Sequence, residues 1–245
     1  MKTIKTITPV ACIAALAGLG LTIQQSHAVV VTFTGGTVTT LGAGTGTTDT
    51  SASFSDVDFY EQGGFHLDFL PNAGSSGFAT HVGNYYGAGN DVIHSHWEGG
   101  GFGGVTAVEI TKIGGGTFDL NYFILTSNTI VGGGAADGSE RAFVKALDST
   151  DTLIGAPVML PSEDWGFPAT PIYLGSDFDA ATKVVFYVES PVACFGMDEF
   201  FIDEPAPPPP GRVPDSGATL AFLSLALGGI FCLKHKADAR KRPAV

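Results

Sequence analysis

The sequence predicts an all-β fold, an antiparallel two-sheet sandwich of the jelly-roll type, with an N-terminal signal peptide and a single C-terminal transmembrane helix. Three observations predict the sandwich. Short runs of β-branched and aromatic residues recur between residues 29 and 203, glycine-rich turns separate them, and no segment of this part keeps a 3.6-residue apolar period with helix caps. About nine or ten short strands of this kind are typical of a jelly roll.

The individual strands follow from apolar side chains that alternate along the chain. In the run from Phe65 to Phe69, the odd positions are apolar and the even positions are His66 and Asp68. Since successive side chains of a strand point to opposite faces of a sheet, this strand is predicted to have one packed face and one solvated face. Residues 184–188 are apolar or aromatic at both sets of positions, which predicts a central strand covered on both sides.

Charge is distributed unevenly along the chain. The whole sequence has 24 acidic and 12 basic residues, whereas residues 29–211 have 22 acidic and four basic residues, a formal charge of −18. Nucleic-acid binding depends mainly on Lys and Arg side chains that neutralise phosphates. This part of the chain is therefore predicted not to bind nucleic acid or an anionic membrane surface.

The first 28 residues are predicted to be a secretory signal peptide. Lys2 and Lys5 precede an apolar run over residues 7–23, and Ser26-His27-Ala28 has the small-x-small pattern of a cleavage site. A retained membrane anchor is the alternative, which the polar residues before the cleavage pattern disfavour. The prediction places the following domain outside the cytoplasm.

The C-terminal part is predicted to be a linker, a membrane span and a basic tail. Residues 204–212 are rich in proline and should form a polyproline II spacer. Residues 217–233 are predicted to be the transmembrane helix, and the uncharged stretch 218–233 would cover about 24 Å. A buried helix of the globular domain is the alternative, which the intervening linker disfavours. Residues 234–245 form a tail whose cations should stay on the cytoplasmic side: Lys234, Lys236, Arg240, Lys241 and Arg242.

A short motif precedes the apolar segment, and its five residues are Val213, Pro214, Asp215, Ser216 and Gly217. Together with the apolar segment and the basic tail, this motif resembles the PEP-CTERM sorting signal, in the variant that carries Val-Pro-Asp-Ser-Gly. The resemblance covers residues 213–245. It implies that an exosortase, a membrane-embedded cysteine transpeptidase, reads the motif and passes the protein to the cell surface or extracellular matrix.

The exported domain also resembles, more loosely, the carbohydrate-binding-module-like jelly rolls that precede many such tails. The segments that carry this likeness are residues 114–120, 121–125 and 195–203. The likeness implies a fold more than a ligand. A lectin-like module for exopolysaccharide is therefore the alternative function, and the aromatic side chains that could stack on sugar rings are Tyr60, Tyr85, Tyr86, Trp97, Trp165, Phe167 and Tyr173.

Two imidazoles form a candidate metal site. His94 and His96 are two positions apart on a predicted strand, which places both rings on one face about 6 to 7 Å apart. Glu98 continues the same face, and Asp91 and His81 are further candidates. Solvated polar positions on a half-exposed strand explain the same pattern.

Acidic pairs are candidate ligands for a structural calcium ion, and Asp198 is the first residue to consider. The chain has no EF-hand loop pattern, and no other cofactor is predicted. Cys194 is the only cysteine between the signal peptide and the predicted span, so an intrachain disulfide is excluded there. A small buried side chain is its predicted role.

The chain is predicted not to be an enzyme. It lacks a Gly-x-Ser-x-Gly elbow, a His-Glu-x-x-His motif, a phosphate-binding lysine loop and a dinucleotide fingerprint. A polysaccharide hydrolase is the weaker alternative, since carboxylates are abundant. The sequence thus predicts an exported, envelope- or matrix-associated β-sandwich protein that a sorting transpeptidase processes.

Overall fold

The computed structural model describes residues 28–42, 44–70, 80–87, 89–97, 104–189 and 192–204. Over these ranges the chain forms fifteen β-strands and one 3-10 turn, Ser176–Phe178, with no α-helix. The predicted all-β class is confirmed. The predicted signal peptide, linker and C-terminal helix lie outside the described residues.

The strands form two antiparallel sheets, which confirms the predicted sandwich. Sheet A has seven strands in the order β13-β10-β15-β8-β7-β4, with β1 paired to the end of β15, and sheet B has eight in the order β12-β11-β14-β9-β6-β5-β2-β3. The narrower prediction, a carbohydrate-binding-module-like jelly roll, stays a prediction. The strand bounds are β1 Val29–Val31, β2 Thr37–Thr40, β3 Thr45–Thr47, β4 Ser53–Ser55, β5 Val57–Gln62, β6 Phe65–Leu70, β7 Thr80–Gly83, β8 Val92–His96, β9 Ala107–Lys112, β10 Leu120–Thr129, β11 Ala142–Leu147, β12 Leu153–Met159, β13 Thr170–Tyr173, β14 Lys183–Val188 and β15 Cys194–Ile202.

Phenylalanine side chains fill the core between the two sheets. Phe186 on β14 of sheet B is fully buried, and its ring lies 5.2 Å from that of Phe123 and 5.9 Å from those of Phe195 and Phe200, which belong to sheet A. Aromatic rings of this size bury large apolar areas, and the Phe186 ring meets Phe123 edge to face and stacks on Phe200. These rings connect the two sheets at the centre of a core that also contains many aliphatic side chains.

The edge strands of both sheets are short or interrupted. β3 and β4 have three residues each, and β13 contains Pro171. β12 is longer, but its pairing with β11 shifts register around Gly155, which has φ of 65°, and the strand contains Pro157. Proline has no N–H to donate to a neighbouring strand. These features limit the free hydrogen-bonding groups at the sheet edges.

Candidate functional site

The described residues that approach one another as potential ligands are His94, His96 and Cys194, which we call the His–Cys cluster. β8 and β15 pair antiparallel, with His96 opposite Cys194 and His94 opposite Gly196. The alternate positions on these strands, such as Ile93 and Phe195, belong to the core. Because alternate side chains point to opposite faces, the His–Cys cluster lies on the outer face of sheet A.

The three side chains converge closely. One nitrogen or sulfur atom from each lies within 4.8 Å of those of the other two. The Sγ atom of Cys194 is 3.2 Å from Nδ1 of His96, and the two imidazole centroids are 5.0 Å apart. The exposed fractions are 0% for His94, 4% for His96 and 0% for Cys194. Side chains that commonly bind metal ions thus meet in a space closed to water.

Four aromatic side chains, Tyr85, Tyr86, Trp165 and Phe167, cover this outer face, and we call them the aromatic cover. The Tyr85 ring stacks on His94 at 4.7 Å with an interplanar angle of 8°, and Trp165 meets the same imidazole edge-on at 4.3 Å. Tyr86 contacts Trp165 at 5.1 Å and Phe167 at 5.7 Å. The aromatic cover explains why His94, which points away from the core, is nevertheless fully buried.

Backbone hydrogen bonds fix the loop that supplies half of the aromatic cover. The N–H of Gly166 donates to the carbonyl of Thr126 at 2.8 Å, and the N–H of Trp165 donates to the carbonyl of Gly134 at 3.2 Å. Asn128 and Glu163 exchange two backbone hydrogen bonds. The loop between β12 and β13 is therefore hydrogen-bonded to β10 at Thr126 and Asn128.

His94 has one nitrogen with partners and one without. Its Nδ1 lies 3.2 Å from Oη of Tyr86 and 3.3 Å from Oγ of Ser127. Its Nε2 is buried and has no hydrogen-bond partner. If Nδ1 carries the proton and donates to one of these hydroxyls, Nε2 presents a lone pair. A buried nitrogen without a partner is costly, so this atom is the most unusual polar group of the cluster.

Burial sets the protonation states of the cluster. Burial, with the neighbouring imidazoles, holds the pKa of His94 well below its usual range and lowers the pKa of His96 to about 4. Burial also raises the pKa of the Cys194 thiol to about 12, opposed by a hydrogen bond from the backbone N–H of Gly133. At neutral pH the cluster therefore contains two neutral imidazoles and a protonated thiol.

The other residues predicted as metal ligands have separate positions. Asp198 lies further along β15, where it is 2% exposed and accepts hydrogen bonds from Asn90 and the backbone N–H of Glu199. Asp91 accepts a hydrogen bond from the backbone N–H of Thr50. Neither carboxylate belongs to the cluster. Glu98 lies outside the described residues.

His81 is a neighbour of the cluster. It lies opposite His94 on β7, and its ring centroid is 5.2 Å from that of His96 and 4.7 Å from that of Tyr85. Its Nδ1 lies 3.0 Å from Oγ of Ser55. Burial lowers the pKa of His81 as well. The outer face of sheet A thus has three neutral imidazoles side by side.

The remaining aromatic candidates do not lie together on the surface. Tyr60 and Trp97 are fully buried in the core, and the Tyr173 ring packs against that of Tyr122 at 5.0 Å. Within the aromatic cover, the Tyr86 plane is inclined by 83° to that of Trp165 and by 84° to that of Phe167. The rings of the cover pack against one another and against His94, so they do not form a flat stacking surface for a sugar.

Gly196 has no side chain, and the Tyr86 hydroxyl lies close to where a Cβ atom would be. A Cβ atom at Gly196 would lie 2.5 Å from Oη of Tyr86 and 2.6 Å from Oγ1 of Thr126. We therefore expect Gly196→Ala to lower the free energy of unfolding by about 1–3 kcal/mol. Urea denaturation followed by tryptophan fluorescence measures this. Gly175→Ala is the matched control, since its Cβ would meet no atom within 4 Å; an equal loss in both variants would contradict the prediction.

The predicted sorting motif lies outside the described residues, but a family comparison addresses it. Residues 212–236 match the VPDSG-CTERM motif. This match supports the sorting tail predicted from the sequence, and such a motif implies export and membrane-associated processing. The chain therefore combines an all-β sandwich with a C-terminal sorting motif. The described ranges contain no helix that is long and apolar enough to cross a membrane.

Comparison with solved structures gives one distant likeness. The K1 cleaved adhesin domain of Lys-gingipain from Porphyromonas gingivalis W83 is 12% identical, with a TM-score of 0.36 over 72% of this chain and 96% of that domain. A likeness at this distance carries no information on ligand or activity. Comparison with curated proteins finds no significant match.

Proposed function

We propose that this chain is a non-enzymatic, exported β-sandwich protein that an exosortase-type transpeptidase recognises at Val213–Gly217 and delivers to the cell surface or extracellular matrix. The observation that carries the proposal is the match of residues 212–236 to the VPDSG-CTERM motif. The motif alone is short, but the sequence places an apolar segment and five basic side chains directly after it. This order suits an extended recognition strand held close to a membrane.

Charge supports the proposed orientation. The sequence puts a net charge of −18 on residues 29–211 and a cluster of Lys and Arg side chains at the C-terminus. Basic residues that flank an apolar segment are retained on the cytoplasmic side. The acidic domain would then face the periplasm or the exterior, where its charge favours solubility.

Burial of the described reactive groups supports a function without catalysis. A nucleophile or general base must come within hydrogen-bond reach of a substrate. Cys194, with a raised pKa, and His94 are both fully buried. The cluster therefore has neither the access nor the thiolate that nucleophilic catalysis needs.

Intact-mass analysis of the protein recovered from its producing cells tests the proposal. We expect the wild-type protein to have lost the residues that follow a cut near Val213. A variant with Val213, Pro214 and Asp215 all replaced by alanine should keep its full C-terminus and stay in the membrane fraction. Pro209→Ala, in the linker, is the matched control and should be processed normally. A complete C-terminus on the wild-type protein, or equal processing of the triple variant, would contradict the proposal.

A further inference from the structure

We infer that the His–Cys cluster binds a single thiophilic transition-metal ion, with monovalent copper as the ion that its charge fits best. His94, His96 and Cys194 would supply two imidazole nitrogens and one thiolate sulfur. The inference goes beyond sorting, because it gives the exported domain a cofactor of its own. It does not depend on the C-terminal motif.

The spacing of the three side chains suits one ion. Metal–nitrogen bonds of about 2.0 Å and metal–sulfur bonds of about 2.3 Å place neighbouring ligand atoms roughly 3.3–3.7 Å apart in a trigonal or tetrahedral site. In the protein the three atoms already lie within 4.8 Å of one another, and Sγ of Cys194 is 3.2 Å from Nδ1 of His96. Small side-chain rotations would complete the coordination, without a change in the strands.

Groups around the cluster prepare it for an ion. The Nδ1 atom of His94 is next to the hydroxyls of Tyr86 and Ser127, whereas its buried Nε2 has no partner. Metal-bound histidines usually bond their other ring nitrogen to a neighbouring group, which fixes the tautomer and the orientation of the ring. A bound ion would give the Nε2 atom the partner that it lacks.

Thiolate and imidazole ligands accept several transition-metal ions, mainly copper and zinc. The net charge of the loaded site distinguishes these two ions. No described Asp or Glu side chain joins the cluster. With one thiolate and two neutral imidazoles, monovalent copper gives a neutral site, whereas divalent zinc leaves one positive charge. A positive charge without a compensating negative charge is expensive to bury. The side chains packed on His94 are the aromatic rings of Tyr85 and Trp165, which carry no charge.

Binding exchanges one proton for one ion. Monovalent copper forms a bond to Sγ of Cys194, the thiol proton leaves to solvent, and the imidazoles give lone pairs without losing a proton. No electron is transferred. Because the cluster is buried, the ion would enter when the side chains around it move apart or while the chain folds.

Competition with a chromophoric chelator tests the inference on the full-length chain. The chain is refolded under reducing conditions and titrated with monovalent copper in the presence of the chelator. We expect one equivalent of copper per chain to leave the chelator. Cys194→Ser and His94→Asn should weaken binding by at least about 100-fold, whereas Cys232→Ser and His66→Asn should leave it unchanged. Failure of the wild-type chain to take up copper, or unchanged affinity in Cys194→Ser, would overturn the inference.

Two further measurements on the wild-type chain test the inference even if a variant fails to fold. X-ray absorption of the copper-loaded wild-type chain should show one sulfur and two nitrogen neighbours, and a spectrum without sulfur would overturn the site. The same titration with divalent zinc tests the charge argument. Tighter binding of zinc than of copper, each measured against a chelator of known affinity, would overturn the assignment to copper.

Discussion

Replacement of Phe186 by alanine is expected to lower the free energy of unfolding by about 3–5 kcal/mol. Phe186 is fully buried on β14 of sheet B, and its ring touches those of Phe123, Phe195 and Phe200 from sheet A. Alanine would remove these apolar contacts and leave a cavity between the sheets. The strands on both sides are paired within their own sheets, so they would not collapse to fill it. Urea denaturation of the full-length chain gives the value.

The next residue along the same strand is the control for this effect. Tyr187 points to the outer face of sheet B, where it is half-buried and stacks on Phe143. Tyr187→Ala should therefore cost less than Phe186→Ala, about 1–2 kcal/mol. Equal losses in the two variants would mean that the rings between the sheets are not the main source of stability.

Asp198→Asn is expected to remove a pH dependence of about 3 kcal/mol from the stability of the protein. Burial raises the pKa of Asp198 to about 6 from 3.8, against the hydrogen bonds from Asn90 and from the Glu199 N–H. Between these values the folded protein holds a proton that the unfolded chain has released. Stability therefore falls as the pH rises from about 4 to about 6, and stays at the lower level above that. Asparagine is neutral in both states, so this slope should vanish.

Unfolding measured at pH 4, 5, 6 and 7 checks this prediction for the wild-type chain and for Asp198→Asn. Asp148→Asn is a control of opposite sign. Hydrogen bonds from the side chain and backbone of Thr150 and from the Thr152 N–H lower the pKa of Asp148, so the wild-type carboxylate contributes stability that is lost as the pH falls. A wild-type profile parallel to that of Asp198→Asn would show that Asp198 is not desolvated.

The fold class was predictable because the strands that make the core obey a simple alternation. β6, Phe65–Leu70, alternates between buried and half-buried side chains as the sequence predicts. β14, Lys183–Val188, is central in sheet B between β11 and β9, and Val184, Val185 and Phe186 are all buried. In such strands, the positions of the apolar residues in the sequence indicate which side chains are buried.

Strands without that pattern were not predictable. β2 and β3 pair across a segment of threonine and glycine that the sequence indicates only as a loop, because backbone pairing there needs no apolar side chains. β12 is a mostly exposed edge strand with weak periodicity, and the sequence predicts a strand only over residues 157–160, at its end. In both cases tertiary neighbours, rather than local propensity, decide the structure.

Only part of the candidate site, its two histidines, was predictable from the sequence. His94 and His96 share a face because they are two positions apart, but Cys194 reaches them only through the pairing of β8 with β15. No local signal connects residues that lie so far apart in the sequence. The burial of His94 was also not predictable, because the aromatic cover that packs on it comes from two separate loops.

The interrupted edges of the two sheets have a consequence for association between copies of the protein. An open edge invites the backbone of a second molecule, and long regular edges seed fibrillar stacks. Here the outermost strands are three-residue segments or contain Pro157 or Pro171. We therefore expect these edges to disfavour backbone pairing between copies of the domain, so that the sandwich stays monomeric at concentrations where a long regular edge would stack.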